Sequence, residues 1–281
     1  MRLAIVTATT NIERAQLCVR SWRAMARHEI QIVGVLNGRT PGMNQGEFDV
    51  VLHHEPDYLG TVAAFERGVG LLLETTRPPE IIACLHDDLR IDEKDWDETV
   101  IRHFQRTPRC GLAGFGGAIG LADVDIYRKP YQPQQLARIG FRSALDDAEI
   151  HGIHSLLPER VACLDGFSQI GRRDFWDGYR RNGNNRLVRY GDNDRPWTVL
   201  DRLGVVHHAY DGMLGCLAKR YHWDAWYLPI RGHHYGGQTA VGDEGYANWA
   251  KTQNEDGDHG FWEKAHQIWY DNFRSELPIR L

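Results

Sequence analysis

Residues whose types and spacing could do chemistry gather first in Ile81-Ile82-Ala83-Cys84-Leu85-His86-Asp87-Asp88. An apolar run of strand length delivers an imidazole and two adjacent carboxylates to its C-terminal end, where ligands sit in an open α/β sheet. Two neighbouring carboxylates repel unless a proton or cation comes between them, and oxygen donors suit Mg2+ or Mn2+. The plain alternative is a solvated turn with a helix cap downstream. Further along, Asp165 stands before Gly166, Asp211 precedes an apolar helical spacing over residues 213–221, and His233-His234 follow Leu228-Pro229-Ile230. A tight turn accounts for Asp165-Gly166 equally well, and Asp211 could serve only as an N-cap. The pair His53-His54 reads as structural, and His207-His208 as only modestly more interesting.

The elements that must position these residues follow from periodicity. Residues 3–6 read as a strand. From Asn11, an N-cap, the residues Ile12, Ala15, Cys18, Val19, Trp22 and Met25 recur at helical spacing. Residues 30–36 and 50–52 return to strand. Residues 62–74 are helical in pattern, although Gly68 and Gly70 each weaken that helix by roughly 1 kcal/mol relative to Ala. A helix on Trp96, Val100, Ile101 and Phe104 follows the His-Asp-Asp turn, then a glycine-dense strand and turn over 110–117. Residues 122–154 are weakly periodic and read as an excursion that could carry an acceptor-binding lid. A strand over 160–170 interrupted by Asp-Gly, loops at 182–185 and 192–196, a strand over 226–230 and an aromatic-rich C-terminal helix complete the chain. Such alternation predicts an α/β fold with a Rossmann-like, mainly parallel mixed sheet flanked by helices.

The 281 residues, 42% hydrophobic and 25% charged, have the composition of an ordinary globular protein. A formal net charge of -5 argues against a general nucleic-acid-binding surface. The five cysteines show no CxxC spacing and four lie in apolar runs, so buried, reduced thiols in a cytoplasmic protein are expected. No apolar run is long enough for an integral membrane segment, and the first strand begins too close to Met1 for a signal peptide.

The order of these signals resembles the GT-A-type glycosyltransferases, and within them the inverting family 2-like group. Four stretches carry the resemblance: the β-α-β opening with Thr7-Ala8-Thr9-Thr10; the helix starting at Leu59-Gly60-Thr61; Leu85-His86-Asp87-Asp88; and the series Asp165-Gly166, Asp211, His233-His234. The family's marker is Asp-x-Asp. Three literal copies occur, at Asp95-Trp96-Asp97, Asp123-Val124-Asp125 and Asp192-Asn193-Asp194, but none follows a buried strand as His86-Asp87-Asp88 does. The resemblance implies a GT-A domain over residues 1–245, with a nucleotide-sugar-binding half (1–120) and an acceptor-binding, catalytic half (121–245), followed by a helical extension (246–281).

It further implies a nucleotide-diphosphate sugar donor, a UDP-sugar foremost, whose two phosphates are bridged by Mn2+ or Mg2+. Asp88 would hold the ion, with His86 in place of the family's first carboxylate and His234 or His233 as the late imidazole. Asp87 would be a ligand, a neighbour of the ligands or a ribose contact. Thr7, Thr9, Asn37, Gly60 and Thr61 would face the nucleotide, and Gly236-Gly237 would let a loop close over it. Asp211 would take the proton of an acceptor hydroxyl, with Asp165 near the donor sugar or acceptor, and the sugar would transfer with inversion. The acceptor is open: a saccharide or another hydroxyl-bearing molecule. Two other classes compete. A nucleotidyltransferase normally opens with a Gly-rich, Arg/Lys-bearing loop, whereas residues 7–11 hold neither glycine nor lysine. A noncatalytic carbohydrate-binding module would need neither Asp88 nor Asp211.

Overall fold

Local patterning sets the first half of the fold. The computed structural model describes residues 1–38, 46–54, 58–121, 138–146, 155–182, 184–189, 191–236, 244–252, 260–277 and 279–280. The chain opens with β1 (Leu3–Thr9), α1 (Ile12–Met25), β2 (Gln31–Asn37), β3 (Val50–His54), α2 (Thr61–Leu73), β4 (Ile81–Leu85), β5 (Leu89–Ile91) and α3 (Trp96–Arg106). Asn11 caps α1 as its type predicts, its side chain accepting from the Arg14 amide at 3.1 Å. Then come β6 (Cys110–Gly114), β7 (Gly116–Leu121), β8 (Arg138–Ser143), β9 (Leu145–Asp146), β10 (Glu159–Val161), β11 (Cys163–Leu164), β12 (Ser168–Arg172) and α4 (Arg173–Trp176). The remainder holds β13 (Tyr179–Arg181), β14 (Leu187–Arg189), α5 (Pro196–Arg202), α6 (Tyr210–Arg220), β15 (Asp224–Tyr227), β16 (Gly232–His234), α7 (Glu244–Thr252), α8 (Gly260–Phe273) and β17 (Ile279–Arg280).

The main sheet is eight-stranded, in the order β10-β15-β6-β12-β4-β1-β2-β3. Its β3-β2-β1-β4 half is parallel. β12 runs antiparallel between β4 and β6, β15 is parallel to β6, and β10 is antiparallel at the edge. The result is a mainly parallel mixed sheet with helices on both faces, as the alternation of patterns implies. Successive side chains of a strand point to opposite faces, and here both faces are buried. Ala4 and Val6 pack with Val33, Val35, Phe65 and Leu72 on the α2 side, while Leu3 and Ile5 pack with Val19, Trp22, Ile32 and Trp96 on the α1 and α3 side. Burying such an aliphatic side chain completely stabilises the fold by about 1.5–3 kcal/mol. Gly68, which weakens α2 as an isolated helix, has a packing reason: a Cβ there would come within 2.2 Å of Val6 Cγ1.

The second half departs from pattern reading in places. The strand expected over 160–170 is three pieces, β10, β11 and β12, with the Asp165-Gly166 turn before the last. Of the loop expected at 182–185, residues 182, 184 and 185 lie between the paired strands β13 and β14 and 183 lies outside the described residues, while 192–194 form a 3-10 turn and α5 begins at Pro196. Within the excursion, β8 pairs with β7 and β9 with β16, so part of it is sheet; 122–137 and 147–154 lie outside the described residues. All five cysteines are buried. No helix among the described residues is long and apolar enough to cross a membrane.

Candidate metal centre

β4 is buried along its whole length and ends at Leu85. The chain then turns, with the His86 amide donating to the Phe167 carbonyl at 3.0 Å and the Leu89 amide to the His86 carbonyl at 3.3 Å, and continues as β5. β5 pairs antiparallel with β16, setting His234 opposite Leu89, and the Tyr235 amide donates to the Asp88 carbonyl at 3.0 Å. This pairing carries the late histidine onto the His-Asp-Asp turn. His234 Nε2 lies 3.3 Å from Asp88 Oδ1, and His86 Nδ1 lies 3.9 Å from the same oxygen. One ligand atom from each of His86, Asp88 and His234 falls within 4.8 Å of the others.

The protonation pattern suits a cation. Tyr210 donates its hydroxyl hydrogen to the Gly166 carbonyl at 2.9 Å, and the same oxygen lies 2.8 Å from His86 Nε2. Since a carbonyl only accepts, His86 gives its Nε2–H to the tyrosine oxygen, which leaves the Nδ1 lone pair bare on the side of Asp88. Burial lowers the His86 pKa to about 4, so the ring is neutral near pH 7. Burial pushes Asp88 the other way, but the nearby His234 and His86 rings outweigh it and hold the carboxylate at about 2. Asp88 Oδ1 is buried and has no hydrogen-bond partner among the described residues. With metal–ligand bonds of roughly 2.0–2.2 Å, donors at right angles on one ion stand roughly 3 Å apart. Two half-buried imidazoles and one buried carboxylate gathered this closely fit a divalent ion.

Asp87 faces another way. Its Oδ2 accepts from Thr9 Oγ1 at 2.5 Å and from Arg14 Nη2 at 2.6 Å, tying the turn to the end of β1 and the first turn of α1. Arg14 and Tyr210 are the two residues of this region that sequence reasoning missed. Arg14 left one signal, a cation in a first helical turn, where the helix dipole favours an acid and a cation needs a carboxylate partner. Tyr210 left only its place beside Asp211. Alternation along β16 turns His233 away from the cluster, its ring edge-on to Tyr235 with centroids 4.3 Å apart.

The other expected site residues lie as follows. Thr7 is fully buried in β1, and its hydroxyl has no hydrogen-bond partner among the described residues. Asn37 clamps Leu59, donating Nδ2 to its carbonyl at 2.6 Å and accepting from its amide. Gly60 caps α2 where a Cβ would meet the Val206 carbonyl at 2.4 Å, and Thr61 Oγ1 is 2.6 Å from His207 Nδ1. Asp165 forms a turn, its carboxylate accepting from the Phe167 amide at 3.5 Å, and a Cβ on Gly166 would strike the Tyr210 hydroxyl at 2.6 Å. Asp211 is buried in the first turn of α6, one residue after Tyr210, and accepts from the Gly212 amide at 2.7 Å. Gly237 lies outside the described residues.

Two of the literal Asp-x-Asp copies do structural work. Asp97 accepts from the Arg27 and His28 amides at 2.7 and 2.9 Å, and Asp194 pairs with Arg180 at 2.6 Å. Asp123-Val124-Asp125 lie outside the described residues.

No protein-family model and no curated protein matches the chain. Among solved structures, the crystal structure of S. aureus TarS 1-349 is similar at a TM-score of 0.46 and 10% identity, over 98% of this chain and 73% of that one. CMP:2-keto-3-deoxy-manno-octonic acid synthetase in complex with CTP is similar at a TM-score of 0.40 and 8% identity, over 84% of this chain and 94% of that one.

Proposed function

We propose that the protein is a metal-dependent glycosyltransferase that moves a sugar from a nucleotide-diphosphate donor, a UDP-sugar foremost, to an acceptor hydroxyl. The observation that supports this reading most is the gathering of His86, the buried Asp88 and His234 at the C-terminal end of β4. Its two nitrogens favour Mn2+ or a similar transition ion over Mg2+, whose preference is for oxygen alone. Bound there, the ion would supply positive charge to the leaving diphosphate. Residues 1–120 would bind the donor and 121–245 the acceptor, with 246–281 as an appended helical segment.

Asp211 is the proposed base. The acceptor oxygen forms its bond to the anomeric carbon while the bond from that carbon to the diphosphate oxygen breaks, and the hydroxyl proton passes to the Asp211 carboxylate. Inversion follows from such a single displacement. A base that receives its proton late in the attack works without a raised pKa. Asp165 would lie beside the donor sugar or acceptor, and Thr7, Thr9, Asn37, Gly60 and Thr61 beside the nucleotide.

A thermal-shift and donor-hydrolysis screen of UDP-, GDP-, dTDP- and CMP-sugars, with Mn2+ or with EDTA, tests the reading. One nucleotide sugar is expected to stabilise the protein only with Mn2+. Asp211→Ala should keep that stabilisation and lose transfer. Absence of binding by every nucleotide sugar in Mn2+ would sink the proposal, and pyrophosphate release from a nucleoside triphosphate instead would assign the site to nucleotidyl transfer.

A further inference from the structure

At the opposite end of the sheet from the metal centre, where β6 and β15 begin, lies a cavity of about 620 Å³ between the second half of α6 and the edge of β10. That is the size of a small-molecule site. Its lining includes Arg109, Arg160, Lys219, His222, Trp223 and Asp224. Three of these carry fixed positive charge against one carboxylate, on a chain whose net charge is -5. The carboxylate works as an anchor: Asp224 holds Arg160 at 2.8 Å and Arg109 at 3.4 Å, while both guanidinium side chains stay about half exposed, at 53% and 54%. A guanidinium has five N–H donors, more than a shared carboxylate can take. Lys219 donates to the Glu276 carbonyl, which is neutral and leaves the ammonium charge uncompensated by that contact.

Three independent features agree with an anionic occupant. Behind the cavity wall, Arg181 lies over the Trp223 ring at 4.2 Å, and burial first, then the nearby charges of Arg172 and Arg109, lowers its pKa. The end of α6, whose carbonyls would repel an anion, is closed: the amides of Tyr221, His222 and Trp223 donate to the carbonyls of Leu217, Lys219 and Ala218 at 2.8, 3.0 and 2.8 Å. Finally, His222 occupies the left-handed position after the helix, φ 61°, where glycine would sit without strain. The chain keeps an imidazole on the rim at the cost of backbone strain, as binding sites do.

We propose that this cavity binds a small multivalent oxyanion, of phosphate or polycarboxylate type, separately from the metal centre. Arg160 and Lys219 supply the charge and Arg109 the orientation. Inorganic phosphate and citrate are titrated separately into the full-length chain by calorimetry, in EDTA and at constant ionic strength made up with chloride. One of the two is expected to saturate a single site, which also identifies the head group. Arg160→Gln combined with Lys219→Gln should weaken that binding at least tenfold without moving the melting temperature of the unliganded protein, and Asp88→Asn should bind as the parent does. Absence of saturable binding by both anions, or equal binding by the double variant, overturns the site. Tighter binding of a single-stranded oligonucleotide that phosphate displaces would overturn the assignment to a small ligand.

Discussion

His86 is the residue that a literal search for Asp-x-Asp passes over, and in the proposed metal centre its ring is held from both sides. The Tyr210 hydroxyl fixes the Nε2 tautomer from one side and Asp88 waits on the other. Tyr210→Phe would keep the ring packing against Trp197 and remove only the oxygen. Outer partners of this kind contribute about 10–100-fold to metal affinity, and a loss in that range is expected when Mn2+ binding to the variant is followed by electron paramagnetic resonance. Unchanged affinity would remove Tyr210 from the centre. Asp88 and His234 were legible in the sequence because each follows an apolar strand-length run. Tyr210 and Arg14 were not, since their bonds reach across 124 and 73 residues to a turn whose position only the folded sheet defines. The structural contacts of Asn37 and Thr9 were hidden for the same reason. Their polar groups already hold the Leu59 backbone and Asp87, contacts that no local pattern announces.

Among the elements, α6 joins both sites. Tyr210 at its first position reaches the metal centre, and Lys219 near its last lines the cationic cavity, roughly 14 Å away at 1.5 Å per residue. Its apolar spacing was readable. Its start was placed three residues late, because Tyr210, Asp211 and Gly212 do not look apolar-periodic although all three are buried. The helix ends in the strained His222, which makes a local prediction. Since an L-residue in the left-handed region costs about 1–2 kcal/mol relative to glycine, His222→Gly should raise the unfolding free energy by about 1 kcal/mol, seen as a higher urea midpoint at unchanged slope. A lower midpoint would show that the imidazole contributes contacts worth more than the strain.

For the molecule as a whole, the parallel first half was predictable and the sheet order was not. Alternating strand and helix patterns imply right-handed parallel crossovers for β1 to β4. The antiparallel insertion of β12 between β4 and β6 depends on a connection through β7 to β11, and periodicity carries no strand polarity. The packed whole also partly encloses imidazoles other than His86 and His234: desolvation lowers His103 and His207 to about 4. In the unfolded chain they would take up protons near pH 6.5, so stability is present above that pH and falls as pH drops from about 6.5 to 4. Each contributes a slope of up to roughly 1.4 kcal/mol per pH unit. Urea unfolding in EDTA across this range should show that decline, and His103→Gln should flatten it. Equal slopes for parent and variant would show that His103 titrates alike in both states.

The claim on which everything functional rests is that His86, Asp88 and His234 jointly hold a divalent ion that accepts a diphosphate. Its most direct test is a Mn2+ titration followed by electron paramagnetic resonance, for the parent and for Asp88→Asn, with and without UDP, after circular dichroism has shown that the variant is folded. The expected result is one Mn2+ bound by the parent, more tightly when UDP is present, and at least a tenfold weaker affinity in Asp88→Asn with no UDP effect. Equal Mn2+ affinity in the two proteins, or no Mn2+ bound by the parent with UDP present, would contradict it.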